Sequence, residues 1–142
     1  ISRTPIEWAI LHNHSKVVKL LIENGVHPNT KDKNGQSLLH LAAKFSPRNH
    51  EAVTRILIAK GANIEAENLL VETPLRVACA SGSLEVALCL IENGAEINHR
   101  DQNNNGTLLH LAALKNKVQI AKMLLEKGAS IEAKDSYGCT PL

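Results

Sequence analysis

Apolar residues recur three and four apart in "SKVVKLLIENG", which ends at Gly25, and again in "KVQIAKMLLEKG", which ends at Gly128. That spacing lines one face of an α-helix. Gly25, Gly61, Gly94 and Gly128 each stand where such a helix should stop, as its C-terminal cap. Ahead of each stretch lies a shorter apolar phrase that opens on a hydroxyl: "TPIEWAI" from Thr4, "SLLHLAA" from Ser37, "TPLRVAC" from Thr73 and "TLLHLAA" from Thr107. A fifth opening, "TPL", begins at Thr140. The hydroxyl accepts a hydrogen bond from an orphan amide, and proline suits the first helical position, where no donor is needed. These short helices run into the breaks "HNH", "SGS" and "KNK", where Asn13, Gly82 and Asn116 tolerate the left-handed conformation. Polar segments such as "HPNTKDKNGQ" and "SIEAKDSYGC" follow the second helices and predict tight turns.

The unit is therefore helix, turn, helix, projecting hairpin, and it repeats. Successive hydroxyls are 33, 36, 34 and 33 residues apart, and "LLHLAA" occurs twice, from Leu38 and from Leu108. The second copy carries three extra residues in "KFSPRNHEAV", and one more enters in "DQNNNGT". A single unit has too little apolar area to fold alone. Stacking is expected to bury Ala42, Ala43, Ala78, Ala112 and Ala113 at helix contacts where larger side chains would hold the helices apart. The pattern predicts an all-α solenoid of stacked helix pairs in one array: a partial repeat at 1–31, repeats at 32–67, 68–101 and 102–134, and a partial repeat at 135–142. Both ends fall inside a unit, so further repeats are expected to flank this stretch.

Composition narrows the class without changing it. The chain has 142 residues, 44% apolar and 21% charged, with one Trp, one Phe and one Tyr. A core of Leu, Ile, Val and Ala suits small, close-set helices. The net charge of +2 comes from scattered basic residues, which argues against nucleic acid as a partner. Cys79, Cys89 and Cys139 form no CxxC pair, so neither a disulfide framework nor a structural zinc site is expected, and a reducing, cytoplasmic setting is. No apolar run is long enough to span a bilayer, so no membrane insertion is expected.

At "TPLRVA", "LLHLAA" and the "GA" after each second helix, the sequence resembles the ankyrin repeat family over nearly its whole length. The Asp-x-x-Gly-x-Thr turn is similar at Asp32, Gly35 and Ser37, and again at Asp135, Gly138 and Thr140. Glu7 and Arg76 depart from the usual His, Leu38 and Leu108 from Pro, and Val71 and Asn105 from the turn glycine. Asn105 accepts positive φ; Val71 does so poorly, so the hairpin from Asn68 to Glu72 is expected to take another shape.

Seven histidines invite a search for metal or catalytic chemistry. The resemblance implies that His40 and His110 tie turns together, while His12, His14, His27, His50 and His99 read as solvated turn residues. Cys79 and Cys89 fill slots held elsewhere by core residues. No catalytic constellation, cofactor motif or metal-ligand spacing emerges, so the chain is not expected to be an enzyme. Trp8 stands in the slot of Leu41, Val77 and Leu111, which predicts packing.

The resemblance further implies a concave groove lined by hairpin tips and first helices, through which partners bind. By alignment its residues are Arg3, Leu11, His12, Lys33, Asn34, Gln36, Lys44, Phe45, Leu69, Leu70, Glu72, Ala80, Ser81, Asn103, Asn104, Leu114, Lys115, Ser136 and Tyr137. Phe45, Leu69, Leu70 and Leu114 are expected to form an apolar patch, unless the Leu pair covers a neighbouring repeat. Asn29 and Asn98 occupy the slot that some ankyrin proteins have hydroxylated, and hydrogen bonding between hairpins explains them equally well. The function expected is a monomeric, non-catalytic module that binds a protein partner; the alternative is a spacer or tether in a larger protein.

Overall fold

The structure, a computed structural model, describes residues 2–45 and 49–142. Among them are eight α-helices: α1 (Pro5–Leu11), α2 (Ser15–Glu23), α3 (Leu38–Lys44), α4 (Glu51–Ala59), α5 (Pro74–Ser81), α6 (Leu84–Glu92), α7 (Leu108–Leu114) and α8 (Val118–Glu126). The segments between helix pairs form no strand among the described residues, only an isolated bridge between Lys31 and Ser37. They are loops with hairpin-like turns rather than β-ribbons. Part of the expected insertion, residues 46–48, lies outside the described residues.

Each odd-numbered helix opens on the hydroxyl that the pattern singles out. Thr4, Ser37, Thr73 and Thr107 sit in extended conformation and accept from the backbone N–H three residues on. In α3 and α7 the residue at that third position is histidine, and its Nδ1 accepts from the cap residue's own N–H at 3.1 Å. The helices stop after two turns because the chain turns left-handed, at Asn13 (φ 56°), Gly82 (φ 80°) and Asn116 (φ 53°). The N–H groups of His14, Ser83 and Lys117 then reach back to Ala9, Ala78 and Ala112 carbonyls at 2.8–2.9 Å.

The helices pack in two layers, α1, α3, α5 and α7 in one and α2, α4, α6 and α8 in the other, with neighbours in sequence order touching. One residue series runs through each contact. Ala9, Ala42, Ala78 and Ala112 are buried between first helices, while Val18, Val53, Val86 and Ile120 are buried on the second helices. Because each series is continuous, the core is one elongated cluster shared by all the units.

Four sequence expectations are corrected here. Ala113 is exposed, whereas its counterparts Ala43 and Cys79 are fully buried; α7 has a first helix against only one of its sides. Trp8 is half exposed, not packed, and its ring stacks on His12 at 5.5 Å with Arg3 above it at 5.5 Å. His50 is fully buried rather than solvated: its Nε2 donates to the Ile10 carbonyl at 2.8 Å. In the next repeat Ser83 Oγ does the same to Ala43 O at 2.6 Å. His99 is half-buried, while His12, His14 and His27 are exposed as expected.

The fourth correction concerns Asn68 to Glu72, which takes the same turn as its sister loops. Asn68 N–H donates to Glu72 O at 3.1 Å and Val71 N–H to Asn68 O at 3.0 Å, matching Asp32 with Gln36 and Gly35. Val71 adopts φ 58° to achieve it, a costly conformation for a β-branched residue. The turn is imposed by Asn68, whose Oδ1 accepts from the N–H groups of Leu70 at 2.9 Å and Glu72 at 3.0 Å. Asp32 and Asp135 use one carboxylate oxygen in the same manner, and Asp101, ahead of the turn with one extra residue, accepts from the N–H groups two and three residues on. Only an oxygen is needed, so asparagine serves as well as aspartate.

Candidate binding groove

The loops are stitched to one another. Leu69 N–H donates to Asn34 O at 3.1 Å, and Ser136 N–H to Asn104 O at 2.8 Å. The basic residue ahead of two turns reaches across as well: Lys31 Nζ to Glu67 O and Arg100 Nη1 to Lys134 O, both at 2.9 Å. Close approach is required where the tips meet, since a Cβ on Gly35 would lie 3.0 Å from Leu69 N. Asn29 is fully engaged in this stitching: its Nδ2 donates to Gly61 O at 3.1 Å, and its Oδ1 accepts from Asn63 N–H at 2.6 Å.

Beneath the tips, side chains of the first helices lock each loop to the next unit. Buried His40 has Nε2 2.7 Å from Glu72 O and Nδ1 2.8 Å from Ser37 Oγ. A carbonyl needs a donor and the Ser37 N–H needs an acceptor, so the ring is neutral with its proton on Nε2. Burial lowers the His40 pKa from its ordinary value, against the pull of the Glu72 carbonyl. His110 repeats the arrangement with Cys139 O at 2.9 Å. Where arginine replaces histidine, Arg76 pairs with Asp101 and lies 3.9 Å from Glu72. Burial raises the Asp101 pKa, but the N–H groups of Asn103 and Asn104 and the Arg76 charge outweigh it and hold the carboxyl below its ordinary value.

Two concavities lie between loops and first helices. The larger, 560 Å³, sits between the first two units and gathers Arg3, Leu11, Lys33, Asn34, Gln36, Lys44 and Phe45 of the aligned positions. Leu41 and Glu7 also line it. The smaller, 60 Å³, brings Asn104 and Leu114 together with Arg76, His110 and Leu111. Leu69 and Leu70 line neither; both are 73% exposed, so they do not cover a neighbouring repeat. The expected apolar patch is therefore divided, with half-buried Phe45 in one cleft and Leu114 in the other.

The remaining aligned positions differ in availability. Lys115, Asn103, Ser136 and Tyr137 are exposed, the last at 81%, while Ala80 and Ser81 are half-buried at the end of α5. Exposed His12 stacks on Trp8. Glu72 is occupied within the chain, by Asn68 Nδ2 at 3.1 Å and by Arg76. Leu41 and Leu111, which share one slot with Trp8, are not among the aligned positions, yet each lines a cleft. Their common place in the copies was the available signal, read as packing because all are apolar.

Chemistry is sparse. Among the described residues no group of three or more His, Cys, Asp or Glu side chains could hold a metal ion. All three cysteines are free thiols. Burial pushes the Cys79 pKa up to about 12 and raises that of Cys89, which makes both poor nucleophiles. No described helix is long and apolar enough to cross a membrane.

Comparison with known proteins supplies the family. The pattern described as ankyrin repeats (3 copies) matches residues 6–101, and that described as ankyrin repeats (many copies) matches residues 90–142. The chain belongs to the ankyrin repeat family. Ankyrin repeats in general mediate protein–protein interaction. A Caenorhabditis elegans homolog of transient receptor potential cation channel subfamily A member 1 is 43% identical over 83 residues, 58% of this chain and 6% of that protein. The mouse B-cell lymphoma 3 protein homolog is 31% identical over 102 residues, 71% of this chain and 23% of that protein. Phosphocholine transferase AnkX of Legionella pneumophila is 30% identical over 110 residues, 77% of this chain and 12% of that protein. This ankyrin repeat array thus spans less than a quarter of each of these three relatives.

Proposed function

We propose that the chain is a non-catalytic, monomeric protein-binding module of scaffold type that engages its partner across the concave side formed by loop tips and first helices. The observation that carries this reading is the 560 Å³ cleft, in which residues from separate repeats present both charge and apolar surface. The mechanism is rigid presentation. Loops already cross-linked by backbone hydrogen bonds lose little conformational entropy when a partner docks. Loop tips that differ from repeat to repeat, Leu69–Leu70 in one and Ser136–Tyr137 in another, set specificity. Buried thiols at Cys79 and Cys89 fit a reducing intracellular setting.

A second reading, a spacer within a larger protein, is favoured by the small share of each relative that the chain covers. Partner retention separates the two. Variants with Lys33→Glu, Lys44→Glu, Phe45→Ser and Leu69→Ser combined should lose captured proteins, while Leu20→Ser on α2 and Val118→Ser on α8 should keep them. Unchanged capture by the groove variant would remove the basis of the binding reading and favour the spacer.

A further inference from the structure

The larger cleft carries a charge imbalance that its own residues leave unanswered. Arg3, Lys31, Lys33 and Lys44 line it against Glu7 and Asp32. Both acids are occupied within the chain: Asp32 Oδ1 accepts from the Asn34 and Gln36 N–H groups at 2.8 and 2.9 Å, and Glu7 accepts from Thr4 N–H at 3.4 Å. Among the cations, Lys31 donates to Glu67 O and Arg3 lies over Trp8. Lys33 and Lys44 are exposed, and neither makes an ion pair or a side-chain hydrogen bond with any described residue. Leu11, Leu41 and Phe45 supply apolar wall in the same cleft.

Resting on the groove reading above, we propose that this cleft takes a short, extended, acidic peptide segment of a partner protein, carboxylates toward Lys33 and Lys44 and an apolar side chain against Leu41 and Phe45. Charge complementarity sets the choice of partner. The positive character does not continue along the groove, because in the second cleft Arg76 is neutralised by Asp101. A nucleic acid needs a run of cations along its backbone, and the net charge of +2 supplies none. A segment that is acidic over a few residues and apolar at one of them matches what the cleft offers.

The test is fluorescence anisotropy of the whole chain with a labelled peptide that alternates Glu with Leu, beside the same peptide with Gln for Glu. The acidic peptide should bind more tightly, and its affinity should fall as salt is raised. Lys33→Glu with Lys44→Glu should weaken it by about tenfold or more. Lys122→Glu with Lys127→Glu, which changes net charge equally on and after α8, should leave it unchanged. Equal loss in both double variants would overturn the inference, as would equal competition by a single-stranded oligonucleotide. Equal binding of the Gln peptide, lost on Phe45→Ser, would overturn the acidic preference and leave the groove reading standing. Absence of binding by either peptide would overturn the inference alone, because partner retention judges the groove reading separately.

Discussion

Val71 holds a left-handed backbone that its branched side chain resists, and it does so because Asn68 and the Asn34 carbonyl of the preceding loop fix the turn. Strain of this kind costs roughly 1–3 kcal/mol. Val71→Gly should therefore stabilise the chain by about 1 kcal/mol after the entropic penalty of glycine, read as a higher urea midpoint. A lower midpoint would show that Val71 packing outweighs the strain. His40 couples stability to pH through its own protonation. Its folded pKa lies below the ordinary 6.5, so the unfolded chain takes up a proton first as pH falls. The stabilisation is complete above 6.5 and is lost as pH drops toward the depressed folded value. His40→Gln should start about 1–3 kcal/mol less stable and lose less between about pH 7.5 and about pH 5.5 than the parent chain. Parallel losses in the two proteins would contradict the role assigned to His40.

At the scale of the helix, position in the stack decides what a residue does. Ala43 and Ala113 occupy the same slot of "LLHLAA", one fully buried and one exposed. Ala43→Leu should destabilise by about 1–3 kcal/mol through overpacking, whereas Ala113→Leu should stay within about 0.5 kcal/mol, both measured by urea unfolding. Equal effects would mean that intrinsic helix properties, not stacking, govern the slot. The same contrast explains what was legible in the sequence. Caps, breaks and helix spacing are local, so Thr4, Asn13 and Gly82 announced the helix bounds directly. Burial depends on which neighbour covers a slot, and no local pattern states that. Trp8 and Ala113 were misjudged for this reason, and His50 because its acceptor, Ile10 O, lies forty residues away in sequence. Asn68 was overlooked because its role depends on one side-chain oxygen, while the residue name differs from the expected Asp.

Over the whole molecule, contacts between successive helices carry the fold, and the loops they project form a hydrogen-bonded edge along one side. The aligned binding positions were only partly legible as a site. Phe45 and Leu114 fell into separate clefts, because spacing gives the repeat in which a residue lies but not the cavity it faces. The central claim is that recognition occurs on the concave side. Hydrogen–deuterium exchange of the chain with and without the Glu–Leu peptide tests it most directly. Slowed exchange confined to the turn at Asp32–Gln36 and the helices α1 and α3 is the result expected. Protection centred on α2 and α4, with those turns unchanged, would contradict it.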